Sequence, residues 1–195
     1  MEIPFDKIDI FSRNISSFKE TSKDTNGEEI KYMTESEVEV INFDKVKDDY
    51  IRDMGLSTTP CSNDALLVSS KGNIFFVEFK NGRMKKDKVF DVYNKIYDSL
   101  LIFNDIVDKN ISFCRENVNF ILVYNESKNP SERGKEHKED SSKARIGKYF
   151  ASKANKKYVR FDLERFQKIY FQEVYTYTEK EFERNFLSKL KEEEL

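Results

Sequence analysis

Pro60-Cys61-Ser62-Asn63-Asp64-Ala65-Leu66-Leu67-Val68, followed after a short turn by Ile74-Phe75-Phe76-Val77-Glu78-Phe79-Lys80, is the stretch that decides the fold. Two apolar runs flank Ser70-Lys71-Gly72 and predict a hairpin with strands at roughly 64–69 and 73–80. Successive strand side chains point to opposite faces, so Ala65-Leu66-Leu67-Val68 and Phe75-Phe76-Val77 are apolar on both. Strands apolar on both faces belong in the middle of a covered sheet. Asp64, Glu78 and Lys80 lie within these runs. A buried charge without a partner is costly, so three charges in one strand pair mark a site.

Parity sharpens that expectation. Glu78 and Lys80 share one face, and Phe75, Val77 and Phe79 occupy the other, packing the core. A turn centred near Lys71 puts Asp64 opposite Glu78, with Cβ atoms roughly 4.5–5.5 Å apart. Carboxylates that close repel unless a cation lies between them. A register slip of one residue would send Asp64 to the wrong face. The acid-x-Lys pattern also occurs at Glu29, Glu126 and Glu136, but those copies sit in polar stretches. Only Glu78 is embedded in apolar strand residues with an acid on the preceding strand.

Outward from the hairpin, Glu37-Val38-Glu39-Val40-Ile41 alternates. Asn42 or Asp44 then caps a helix running to about Met54, which Gly55 ends. Residues 19–31 predict a loop or hairpin tip, and residues 3–11 a short strand or helix. Val89, Val92, Ile96, Leu100, Phe103 and Val107 recur at helical spacing and predict a helix over 86–108. Val118 to Tyr124 predicts a buried strand. Beyond it the expectation is a polar loop (125–141), a helix (142–154), a strand (157–162), a short helix near 163–170 and a final helix from Thr178. Thr178 and Glu181 form a capping-box pattern there. The order predicts an α/β fold, a mixed central sheet flanked by helices, in a single domain over 1–195 with its core at about 37–125. Residues 126–195 then add a basic loop, a helix-strand unit and the C-terminal helix.

The 195 residues include 17 Phe and 10 Tyr, enough aromatic side chains to exclude a disordered chain. The net charge of −2 excludes a protein that coats nucleic acid by bulk electrostatics. Residues 128–160 nevertheless carry eleven Lys/Arg against four acids, a local +7 that leaves −9 for the rest. A basic face on an acidic protein is therefore expected. Cys61 and Cys114 have no framework spacing, and no signal-peptide pattern opens the chain, so a reducing, cytoplasmic setting is expected. No apolar run approaches the roughly 18 residues of a membrane span. The single histidine, His137, sits in a polar stretch and predicts no zinc site. Cys61 reads as a packed thiol, because soft sulfur does not suit a hard cation. Lys95, on the 86–108 helix, reads as a surface lysine, with approach to the site as the alternative. Tyr149, Phe150 and Tyr158, among the cations of 143–160, read as helix and strand core.

Asp64, thirteen intervening residues and Glu78-Phe79-Lys80 resemble the motif of the PD-(D/E)xK nuclease superfamily, which includes restriction endonucleases and Holliday-junction resolvases. The order of helix, hairpin, helix and strand over 37–125 resembles that family's core. Asn63 stands where the motif has proline. The resemblance implies a restriction-endonuclease-like core and a Mg²⁺-dependent, endonuclease-like hydrolase of phosphodiester bonds. Mn²⁺ is an expected substitute, and DNA is favoured over RNA. Asp64, Glu78 and the carbonyl of Phe79 would hold the metal, which takes oxygen ligands and keeps waters. Lys80 would orient or deprotonate the attacking water and neutralise charge on the phosphate. Family members often add a third acid; Glu39, Glu37 and Asp44 are the candidates. Arg83, Lys85, Lys86 and Lys88, directly after the motif, are expected at the phosphate backbone. A homodimer would let one site per chain cut both strands of a duplex. The alternatives are a non-catalytic nucleic-acid- or protein-binding module on the same fold, and an unrelated interaction domain.

Overall fold

The computed structural model describes residues 3–25, 27, 29–130 and 159–194. A 3-10 turn (Phe5–Lys7) and α1 (Asp9–Ser12) lead into β1 (Ile15–Ser17) and α2 (Phe18–Thr21). The hairpin β2 (Lys23–Asp24) and β3 (Lys31–Tyr32) stands as a small separate sheet, in the segment expected to hold a loop or hairpin tip. Then follow β4 (Glu39–Asn42), α3 (Phe43–Asp53), β5 (Ala65–Val68), β6 (Ile74–Lys80), α4 (Lys86–Ile106), α5 (Ile111–Asn117) and β7 (Val118–Tyr124). The chain closes with β8 (Val174–Thr178), α6 (Glu179–Phe182), a π-helical stretch (Glu183–Leu187) and α7 (Ser188–Glu194).

The fold is α/β, with a six-stranded mixed sheet in the order β1-β4-β5-β6-β7-β8. Pairing is antiparallel from β1 to β6 and parallel for β6-β7 and β7-β8. The parallel pair β6-β7 needs a crossover, and α4 and α5 supply it. The β5-β6 register pairs Ala65 with Val77 and Leu66 with Phe76. Its next step sets Asp64 level with Glu78, as counting from the turn predicts.

Both faces of the sheet are dry. On one, Leu66, Phe76, Phe120 and Leu122 pack against Phe43 and Val46 of α3 and Val92, Ile96 and Phe103 of α4. On the other, Ala65, Leu67, Val77, Ile121 and Val123 pack against Phe18, Phe182, Leu187 and Leu190. Glu78 shares its face with Phe76 and is fully buried beneath α4. The sequence assigns core packing to the Phe75, Val77 and Phe79 face, and the structure adds a second core on the face that carries the charges.

Capping follows the sequence closely. Asn42 caps α3 by accepting from the Lys45 amide, and Thr178 and Glu181 form the full capping box of α6. The C-terminal third differs from expectation, and the short helix expected near 163–170 is a 3-10 turn at Leu163–Phe166. Residues 159–162 form no strand; Phe161 and Asp162 turn the chain with φ of 62° and 55°. Arg160 anchors that turn by donating to the Asn129 carbonyl and lying over the rings of Tyr124 and Phe161. The strand comes later, at Val174-Tyr175-Thr176-Tyr177-Thr178, whose β-branched and aromatic alternation suits an outer strand. The helix expected at 142–154, His137, Tyr149, Phe150 and Tyr158 lie outside the described residues. Among those described, no helix is long and apolar enough to cross a membrane.

Candidate metal centre

Three elements bring the charged groups together: the start of β5, the end of β6 and the third turn of α4. Asp64 ends the β5-β6 ladder with its side chain. Its Oδ2 accepts the Phe79 amide at 2.6 Å, and its own carbonyl accepts from Phe43. An antiparallel residue directs its N–H and C=O to the same edge, so the Phe79 carbonyl also faces the Asp64 side. Glu78 is 0% exposed, and its Oε1 lies 2.6 Å from Lys80 Nζ and 2.8 Å from Lys95 Nζ. Both contacts are ion pairs in distance, and Glu78 Oε2 is buried with no hydrogen-bond partner among the described residues. Lys95 Nζ is also 3.0 Å from Asp64 Oδ1.

The expectation that Lys95 is a surface lysine is therefore corrected. Its side chain is only 21% exposed, and its ammonium sits between the two carboxylates. Burial alone would lower its pKa; the fields of Glu78 and Asp64 more than reverse this and hold it well above the usual lysine value. Asp64 moves the other way for a carboxyl. Loss of water and then the charge of Glu78 push it up to about 7, against the pull of Lys95.

That shift fixes a pH dependence. The folded chain keeps a proton at Asp64 up to about pH 7, whereas the unfolded chain releases it near pH 4. The associated stability is complete below about pH 4 and is lost as pH rises towards 7. The urea midpoint of the metal-free wild type, measured against Asp64→Asn, is expected to fall between pH 4 and 7 and then level off. A constant offset between the two chains would refute the assignment.

Asp44 is the third acid of the neighbourhood. It lines the cleft beside Asn42 and Asp64 and accepts a hydrogen bond from the Ser62 hydroxyl. Loss of water raises its carboxyl, with Ser62 and Lys95 opposing and Glu78 reinforcing. The residue as a whole keeps an exposed surface. Glu39 does not join the site; it borders a separate hollow with Ile3, Phe5 and Ile15. Glu37 is drawn to Lys19, 3.8 Å away. Glu39 lies at the start of β4, two residues before Ile41, which pairs with Leu66, too far along the sheet to reach Asp64, whereas Asp44 follows the turn from β4 into α3. Among the described residues, no three His, Cys, Asp or Glu side chains converge as a ready-made metal group. The donors nonetheless suit a hard dication: two adjacent carboxylates, one with a buried unpaired oxygen, and a carbonyl edge.

The cleft over these residues encloses about 880 Å³. One wall is the β2-β3 arm, with Lys23 and Lys31; Lys80, Lys88, Lys95 and Lys128 face it. The arm is tied across the end of β6, where Asn81 Nδ2 donates to Asp24 and Asn125 Nδ2 donates to Asn81 Oδ1. Of the basic residues expected at a phosphate backbone, Lys88 lines the cleft and pairs with Asp91 at 2.9 Å. Arg83, Lys85 and Lys86 are exposed outside its lining, with Lys85 as the N-cap residue of α4. Cys61 is exposed rather than packed. The loop holding Asn63 and Asp64 is pinned to α4, where Asp98 accepts the Cys61 amide and Ser99 accepts the Asn63 amide, each at 2.8 Å. Compared with family models, curated proteins and solved structures, the chain matches none.

Proposed function

We propose that this chain is a metal-dependent nuclease on a restriction-endonuclease-like core, hydrolysing phosphodiester bonds, in DNA rather than RNA. The observation that carries the reading is Asp64 level with Glu78 on adjoining strands, with Lys80 on the same face and Glu78 Oε2 buried without a partner. A buried carboxylate oxygen lacking a partner is costly, and a dication between the two acids would offset that cost. Asp64 and Glu78 would hold Mg²⁺ or Mn²⁺, with Phe79 offering its carbonyl. A bound dication supplies acidity to water and charge to the phosphate. Lys80, two residues beyond Glu78, borders the cleft and presents its ammonium to an attacking water or a phosphate oxygen. Lys23, Lys31 and Lys128 line the same cleft, among acids that include Glu20, Asp24 and Glu29, and would meet the flanking phosphates.

One observation favours the non-catalytic alternative. The seat between the carboxylates is filled by the chain's own Lys95, as in a site whose charge is balanced internally. Incubating the purified chain with plasmid, single-stranded DNA and RNA, each with Mg²⁺, Mn²⁺ or EDTA, separates the two. The nuclease reading expects metal-dependent cutting, with Lys80→Ala slower by about 10²-fold or more. A wild type that cuts none of these substrates, or a Lys80→Ala chain that cuts equally well, defeats it.

A further inference from the structure

Lys95 lies outside the Asp64/Glu78/Lys80 pattern, on a different element, yet it is the group best placed between the two acids. Its Nζ lies 3.0 Å from Asp64 Oδ1 and 2.8 Å from Glu78 Oε1. A dication engaging both carboxylates would approach the same point between them. Two cations cannot occupy that point, because their repulsion rises steeply at such distances in a site with little water. Lys80 is different. It touches only Glu78 among the site's acids and reaches it from the end of β6, at the cleft side.

We propose that Lys95 is a displaceable counter-ion. Its ammonium neutralises the Asp64–Glu78 pair, and a dication engages both carboxylates only by driving it into the cleft. This rests on the metal-dependent reading of the site. The geometry provides for the displacement. A four-carbon side chain swings its charge over several ångströms without moving the helix. Lys95 already lines the cleft, as does Asp91, one helical turn earlier. Asp91 is half exposed and shared with Lys88, so it can receive the expelled ammonium, as can the phosphate of a bound strand. Lys95 is thus a positioning residue. It holds the carboxylates together in the metal-free chain and sets how strongly a dication must compete for them.

The test is calorimetric titration of Mn²⁺ into the wild type and Lys95→Met, without nucleic acid. Removal of the competing ammonium is expected to tighten Mn²⁺ binding by about tenfold or more. Because loss of a buried counter-ion can weaken the fold, a second measurement uses the unaltered chain. Lysine ammonium resonances of the ¹⁵N-labelled wild type are followed while Mg²⁺ is added. The Lys95 signal, sheltered between two carboxylates, is expected to disappear into solvent exchange as the site fills. Equal Mn²⁺ affinity in the two chains, or a Lys95 signal unchanged at saturating Mg²⁺, overturns the displacement while leaving the metal site standing. If neither chain binds Mn²⁺ or Mg²⁺, the metal-dependent reading itself fails, and the displacement with it.

Discussion

Glu78→Gln is expected to slow metal-dependent cleavage by about 10³-fold or more, roughly 4 kcal/mol in the barrier, while the chain stays folded. The amide keeps the shape of the side chain but removes its negative charge. Its oxygen can still meet Lys80 and Lys95, which lie 2.6 and 2.8 Å from Oε1, and its NH₂ group falls where Oε2 has no partner. What is lost is one of two anionic ligands for a dication. Glu78→Ala is a poorer test. Removing one member of a buried ion cluster leaves the others uncompensated, at a cost of about 3–5 kcal/mol, so lost activity and lost fold would be confounded. Single-turnover rates on plasmid DNA, beside melting curves by circular dichroism, keep them apart. A Glu78→Gln chain that cuts at the wild-type rate removes Glu78 from the chemistry.

Phe76→Ala is expected to destabilise the fold by about 3–5 kcal/mol, a large share of the 5–15 kcal/mol typical of a folded domain. Phe76 is fully buried, with its ring edge-on to Phe43 at 4.9 Å and to Phe103 at 5.6 Å. It joins β6 to α3 and α4 at one point, two residues from Glu78. Truncation leaves a cavity that three elements border, and none can close it alone. A drop of roughly 10 °C in the melting temperature is expected for a chain of this size. Phe90→Ala, at a ring 52% exposed on α4, is the control and should change stability by no more than about 0.5 kcal/mol. A Phe76→Ala chain as stable as the control would show that this ring does not link the layers.

The pairing of Asp64 with Glu78 was legible because a hairpin is local. Counting outward from Lys71 sets the register, and apolar residues on both faces announce a covered sheet. Lys95 was legible only as the second choice to a surface lysine, for the opposite reason. A lysine on a helix in a highly charged chain has a solvated face as its ordinary place. Only the angle at which α4 crosses β5 and β6, a long-range outcome, aims it at the acids. Asp44 remained one of three candidates until the turn from β4 into α3 showed which acid faces the cleft. The last strand was misplaced because 157–162 combines cations with aromatic residues, and the turn there uses positive φ at Asp162, a residue that adopts it readily, and at Phe161, which does not announce it. The alternation at Val174–Thr178 was visible in the letters but lay in the unassigned stretch between the short helix near 163–170 and the final helix from Thr178.

Lys95, Asp98 and Ser99 belong to one turn of α4, and each holds a different part of the segment Cys61–Asp64. Asp64 is thereby keyed to the helix as much as to its strand, through three contacts spaced like the teeth of a single cog. The opposite side of α4 carries Tyr97 and Leu101, both exposed, on the same stretch of rod. A shift of α4 along its axis, even by the 1.5 Å rise of one residue, would drag Asp64 with it and open its gap to Glu78. The spacing of the two acids is therefore a mechanical property of a joint. It depends on how firmly one helix is seated as well as on the pairing of β5 with β6.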